Sequence, residues 1–202
     1  MNNLGIILLT STGLYSPNVY NKFKEIKDEK SLKKAVIITT ASSDKEKNQY
    51  VQSALSQLKS TGLDIVDFYD FENDGERDLS QYDIIYVGGG NTFTLMKFAR
   101  EMNFDKTVLA LLKRDGVYVG VSAGSVIVGP SIQIANEVHP DKNEVDLKDF
   151  TGFTIVDVVI YPHYSPKIEA EIRSFEERNN MKIERIDNSQ AILLEKGNKT
   201  LI

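Results

Sequence analysis

The chain has 202 residues, 41% hydrophobic and 26% charged, enough to bury the core of one globular domain and too evenly mixed for disorder. A formal charge of -5 argues against a nucleic-acid partner, which demands concentrated Lys and Arg, and the run from Lys22 to Lys34 is interrupted by Glu25, Asp28 and Glu29. With no cysteine there are no disulfides, thiol nucleophiles or thiolate metal sites, and with no apolar run of the ~18 residues a bilayer requires, no membrane span is expected.

Leu4 to Leu9 (LGIILL) is a continuous apolar run of the kind buried on both faces of a parallel sheet, and no basic segment precedes it as in a secretory leader. Pro17 suits a helix start, and Val19, Phe23 and Ile26 continue at helical spacing to about Asp28. Ala35 to Thr39 repeats the buried-strand pattern. Asp44 to Ser60 then reads as a helix with Tyr50, Val51, Ala54, Leu55 and Leu58 on one face. Leu63 to Tyr69 and Asp83 to Val87 predict two more strands. Thr92 to Glu101 predicts a helix capped by Asn91, and Phe104 to Arg114 another. Gly116 to Val121 is the next strand. After Pro130 the stretch Ser131 to Phe150 is polar and irregular, with Glu137 to Phe150 a candidate flap. Phe153 to Tyr161 reads as a strand, Pro166 to Arg178 as a helix, and Ile183 to Ile186 and Ala191 to Leu194 as the last two strands. This alternation predicts one α/β domain over 1–202, a doubly wound, mostly parallel sheet with helices on both faces and its ligand at the carboxyl ends of the strands.

Gly120-Val121-Ser122-Ala123-Gly124 fits Gly-x-Ser-x-Gly between a strand and a helix, the nucleophile elbow that pushes a hydroxyl out of a sheet. Such a hydroxyl needs a base, an acceptor that orients the base, and donors for the oxyanion. The chain has two histidines. His163 follows a strand end and a proline, where sheets present catalytic groups, whereas His139 reads as a solvated loop residue. Gly88-Gly89-Gly90-Asn91 is a second glycine-rich strand-to-helix turn, suited to an oxyanion hole. It lacks the Gly-Lys-[Ser/Thr] of a P-loop, and Gly-x-Gly-x-x-Gly is absent, so no nucleotide cofactor is expected.

In this order and spacing, YVGGGNTF (Tyr86 to Phe93), GVSAGS (Gly120 to Ser125) and YPHY (Tyr161 to Tyr164) resemble the peptidase E family of serine peptidases, whose relatives include cyanophycinases. The resemblance implies a flavodoxin-like, class I glutamine amidotransferase-like fold, Ser122 as nucleophile and His163 as base. It also implies an acidic partner fifteen residues after the serine and following an Asn, here Glu137 after Asn136, where the family usually carries Asp. Asp141, Glu144, Asp146 and Asp157 lie nearby, and on spacing alone any could serve. The same resemblance places oxyanion or substrate contacts at Gly89, Gly90, Asn91 and Ala123, and requires neither cofactor nor metal.

Relatives that remove an N-terminal aspartate carry an arginine-containing insertion after the histidine. Here Tyr164 to Arg173 is shorter and acidic, Lys167 and Arg173 read as a solvated helix face, and strict Asp-X specificity is not expected. The expected activity is hydrolysis of a small peptide substrate through a Ser122-His163-Glu137 triad, in a cytoplasmic setting compatible with the missing cysteines. An amidase, esterase or cyanophycinase-like hydrolase with the same triad, and a silent binding protein on the same fold, are the alternatives.

Overall fold

The computed structural model describes residues 5–202, so Leu4 of the expected first strand lies outside the described residues. Five parallel strands form the body of the main sheet: β1 (Ile6–Thr10), β2 (Lys34–Ile38), β3 (Ile65–Tyr69), β4 (Ile84–Val87) and β5 (Val117–Val121). β6 (Val159–Tyr161) and β7 (Ile183–Arg185) pair in parallel as a separate small sheet. β8 (Ala191–Glu195) and β9 (Asn198–Leu201) return to the main sheet as antiparallel strands, giving the order β3-β2-β4-β5-β1-β8-β9. β1 therefore lies between β5 and β8, with Thr10 opposite both Val121 and Ala191.

Alternating residues of each strand feed two cores. Ile6, Leu8, Ala35, Ile37, Ile84 and Tyr86 face α1 (Pro17–Glu29) and α2 (Gln49–Ser60), which bury Val19, Phe23, Ile26, Val51, Ala54 and Leu58. Ile7, Leu9, Val36, Ile38, Ile85 and Val87 face the opposite layer. That layer contains α3 (Thr92–Glu101), α4 (Phe104–Lys113), the short α5 (Ala123–Val126) and α6 (Ile134–Glu137), and α7 (Glu169–Asn179). Each fully buried Leu, Ile, Val or Phe contributes about 1.5–3 kcal/mol of transfer free energy, so the double-sided burial accounts for the unbroken apolar strands. This is the α/β architecture expected, a mostly parallel sheet with helices on both faces.

Three expectations are corrected. The segment from Asp44 opens with a 3-10 turn, Lys45–Lys47, and α2 starts only after Asn48, whose Oδ1 accepts from Tyr50 N at 2.8 Å. That start sets the helix phase so that Tyr50, expected on the buried face, is 76% exposed. Phe153 to Tyr161 is a strand only at its end. Phe153 N, Thr154 N and Ile155 N bond Ile127 O, Gly129 O and Val128 O beneath the elbow, and Thr154 has φ +52°. The alternation there is satisfied by packing Val156 and Val158 into the core without a strand partner. Finally, β9 is an additional strand of exposed residues. Its hairpin turns through Lys196 and Gly197 at φ +50° and +80°, as a two-residue primed turn requires. Among the described residues, no helix is long and apolar enough to cross a membrane.

Candidate active site

The carboxyl ends of three adjacent parallel strands, β4, β5 and β1, converge where an α/β sheet presents its ligands. At the end of β5 the chain turns abruptly into α5, with Ser122 at φ +49°, ψ -109°, a region that non-glycine residues seldom occupy. Two glycines make room for it. A Cβ on Gly120 would come within 2.6 Å of Gly124 O, and one on Gly124 within 2.4 Å of Val87 O. The buried Tyr118 hydroxyl donates to Gly124 O at 2.7 Å and fixes the turn from below.

His163 follows β6 and also has a left-handed backbone, φ +57°. Its Nε2 lies 3.0 Å from Ser122 Oγ. Its Nδ1 lies 2.7 Å from Oδ1 of Asn188, in the loop between β7 and β8. An amide oxygen accepts, so Nδ1 carries the proton and the Nε2 lone pair faces the serine hydroxyl. The elbow serine and the strand-end histidine are thus brought into hydrogen-bond contact.

Glu137 is not brought to His163. It closes α6, where Oε1 accepts from Gln133 Nε2 at 2.6 Å and Oε2 from an Arg178 guanidinium nitrogen at 2.9 Å. These contacts, Gln133 first and Arg178 second, hold its carboxyl below the usual glutamate value. Fifteen residues of chain deliver it to the α6–α7 junction, where the α7 arginine claims it. The imidazole's second partner is instead Asn188, a neutral residue that a search for acids passes over. Its one sequence signal is the Asp187-Asn188-Ser189 turn between two strands, with Ser189 N bonded to Asp187 Oδ1 at 2.7 Å.

The glycine turn after β4 lies against Ser122: a Cβ on Gly89 would sit 3.1 Å from its Cβ and 3.8 Å from its Oγ. Gly90, at φ +137°, packs its Cα on Ala41, where any Cβ would fall 2.1 Å from the carbonyl oxygen. Gly88 N and Asn91 N bond Ile38 O and Ala41 O. Among the described residues the N–H groups of Gly89, Gly90 and Ala123 have no intramolecular acceptor, which leaves them for an incoming oxygen. Asn91 caps α3 as expected, and its polar groups are engaged within the protein. Its backbone N–H is spent, Oδ1 caps α3 by accepting from Thr94 N at 2.9 Å, and Nδ2 donates to Lys142 O at 2.7 Å.

A cavity of about 550 Å³ opens on Ser122, Gly90, Ala123 and His163, with apolar walls from Val126, Ile134, Val138 and Ile168. The stretch expected as a flap is tied down along its course: Asp141 Oδ2 accepts from Thr92 N at 2.8 Å, and Asp149 pairs with Arg100 at 3.1 Å. His139, read from sequence as a solvated loop residue, is exposed yet lines the cavity. Lys167, read as part of a solvated face, also lines it, as does Glu171, and neither forms an ion pair among the described residues. Arg173 turns away to Glu169 at 2.6 Å. Among the described residues no group of three or more His, Asp or Glu is arranged to hold a metal.

The model of Peptidase family S51 matches residues 7–202. The chain is 34% identical over 147 residues to Uncharacterized peptidase Lmo0363 of Listeria monocytogenes, covering 71% of each. It is 29% identical over 131 residues to Peptidase E of Escherichia coli, covering 65% of this chain and 55% of that one. A solved structure from Listeria monocytogenes EGD-e, provisionally described as peptidase E, is similar at a TM-score of 0.79 and 27% identity over 98% of both chains.

Proposed function

The chain belongs to peptidase family S51 and is a peptidase, and from that premise we propose that it hydrolyses short peptides through an acyl-enzyme on Ser122, with His163 as base and Asn188 as its orienting partner. The observation that carries this reading is the continuous hydrogen-bonded line from Ser122 Oγ through both nitrogens of His163 to Asn188 Oδ1, at 3.0 and 2.7 Å. As Ser122 Oγ attacks the carbonyl carbon, its proton passes to His163 Nε2, and the carbonyl oxygen, now negative, is held by the N–H groups of Ala123 and Gly90 or Gly89. The C–N bond then breaks, and the amine leaves with the proton from His163. Water, deprotonated by the same nitrogen, attacks the acyl carbon and frees Ser122.

Glu137 is assigned no role in the triad. The cavity of about 550 Å³ suits a substrate of one or two residues beside the scissile bond, and its mixed apolar and charged lining does not restrict the first residue to aspartate. A cytoplasmic setting belongs to the same reading, supported by the absence of cysteine, and so does a single catalytic domain.

Turnover of dipeptides, Asp-X included, and aminoacyl-p-nitroanilides should be measured beside p-nitrophenyl esters, with Ser122→Ala as the control. Peptide and anilide cleavage that disappears in Ser122→Ala is expected. Turnover confined to esters, or a Ser122→Ala variant as active as the parent, would overturn the reading.

A further inference from the structure

We infer that the three residues leaving β1, Thr10-Ser11-Thr12, are the positioning device of this site, each setting a different member of the Ser122-His163-Asn188 line. The inference rests on the proposed serine mechanism and adds residues that neither the elbow pattern nor the glycine turn identifies.

Thr10 governs the nucleophile. Its carbonyl accepts from Ser122 N at 2.9 Å and from the Ser125 hydroxyl at 2.8 Å, while its own N–H donates to Ser125 Oγ at 2.9 Å. Its hydroxyl donates to Gly120 O at 2.9 Å, so both flanks of the elbow are fixed to one residue of the neighbouring strand. Ser11 governs the base. Its buried hydroxyl accepts from His163 N at 3.0 Å and donates to Ile186 O at 3.0 Å. Thr12 governs the orienting residue, its hydroxyl donating to Asn188 O at 2.8 Å.

The need for such a device follows from the topology. Ser122 is carried by the seven-stranded sheet, but His163 follows β6 and Asn188 follows β7, which form their own two-stranded sheet. Within that small sheet, Tyr164 N bonds Ile186 O at 3.0 Å, clipping the histidine segment to the asparagine segment. That clip relates base to orienter but not base to nucleophile. Ser11 and Thr12 provide side-chain bonds that tie the clipped pair to the end of β1, beside the elbow. Ser11 also bonds the backbone of a residue whose left-handed φ of +57° a histidine does not adopt by preference, so the ring's direction depends on that contact.

The test is steady-state kinetics with a phosphonylation assay on the full chain. The variants are Ser11→Ala, which removes the hydroxyl, Ser11→Thr, which restores it, and Thr12→Val, which removes the donor to Asn188. Thr61→Val is the control, deleting a buried hydroxyl bonded only within its own helix end. Because a 1 Å misplacement of a reacting group costs about 10²-fold, Ser11→Ala and Thr12→Val should each lower kcat by about 10- to 100-fold with KM within about twofold. The rate of Ser122 labelling by a fluorophosphonate should fall in parallel. Ser11→Thr should recover most of the rate, and Thr61→Val should match the parent.

Parent-like kcat in Thr12→Val, or in a folded Ser11→Ala, would overturn the inference. So would kcat losses that Ser11→Thr fails to restore. If Ser11→Ala does not fold, Thr12→Val and Ser11→Thr decide alone. Failure of the parent enzyme itself to be labelled at Ser122 would instead sink the serine mechanism, a distinct outcome.

Discussion

Asn188 replaces a charge with a dipole at the position facing His163 Nδ1. An amide oxygen fixes the imidazole tautomer as a carboxylate does, but it stabilises the imidazolium formed during attack less, and its NH2 end can compete for the same nitrogen. In a serine protease, exchanging the triad Asp for Asn lowers kcat by about 10⁴. Asn188→Asp is therefore expected to raise kcat by about tenfold or more. Steady-state kinetics on one dipeptide checks this, and an unchanged kcat would refute the orienting role. At this scale the sequence was informative where chemistry coincides with local backbone demand. The pairing of Ser122 with His163 was legible, the serine through the glycines that its turn requires and the histidine through the strand end and proline before it. Glu137 was misplaced because spacing along a chain says nothing of which neighbour competes for a carboxylate, and Arg178 wins it. Asn188 gave no acidic signal at all.

The elements around the site separate activity from stability. A methyl on Gly89 presses on the Ser122 side chain, 3.1 Å from its Cβ, and touches Val121 O at an ordinary 3.4 Å, whereas a methyl on Gly124 meets the backbone oxygen of Val87 at 2.4 Å. Gly89→Ala should therefore cut kcat/KM by about 10²-fold through crowding at the oxyanion side, with little change in Tm. Gly124→Ala should cost about 1–3 kcal/mol of stability as the elbow helix is pushed off β4. Thermal melts beside kinetics distinguish the two, and equal Tm losses would contradict the assignment. A second element-scale feature ties α7 to β7: Arg185 donates to Glu176 at 2.7 Å and to Glu169 at 3.0 Å. Arg185 holds the Glu176 carboxyl at about 2, against an ordinary 4.5. A depressed folded value means that its stabilisation is complete above about 4.5 and disappears as pH falls toward 2. Glu176→Gln should lower the urea midpoint at neutral pH and flatten its decline across that window; parallel curves for both proteins would refute this. The strands with double-sided apolar runs were legible because burial on both faces leaves little else for them to be. β9 was not, since its exposed residues are placed by β8 and a turn and not by their own hydrophobicity.

Across the whole molecule, the alternation of strands and helices was legible from the sequence, while the strand order was not. Periodicity identifies a strand but carries no information about its neighbour, so neither the insertion of β1 between β5 and β8 nor the departure of β6 and β7 into their own sheet was visible. That pairing has a consequence for how the chain refolds. Ile6 to Thr10 find one of their two neighbours in Glu195 to Ala191, and His163 and Asn188 are also far from β1 in sequence. With contacts of such sequence separation, closure of the sheet is a slow, late event. In refolding, the capacity of Ser122 to be phosphonylated should return only with the slowest phase, after far-UV circular dichroism has recovered most of its helical signal; labelling in an earlier phase would contradict this. Under the proposed mechanism, activity is the last property a refolding chain regains, since the strand beside Ser122 waits for a partner distant in sequence.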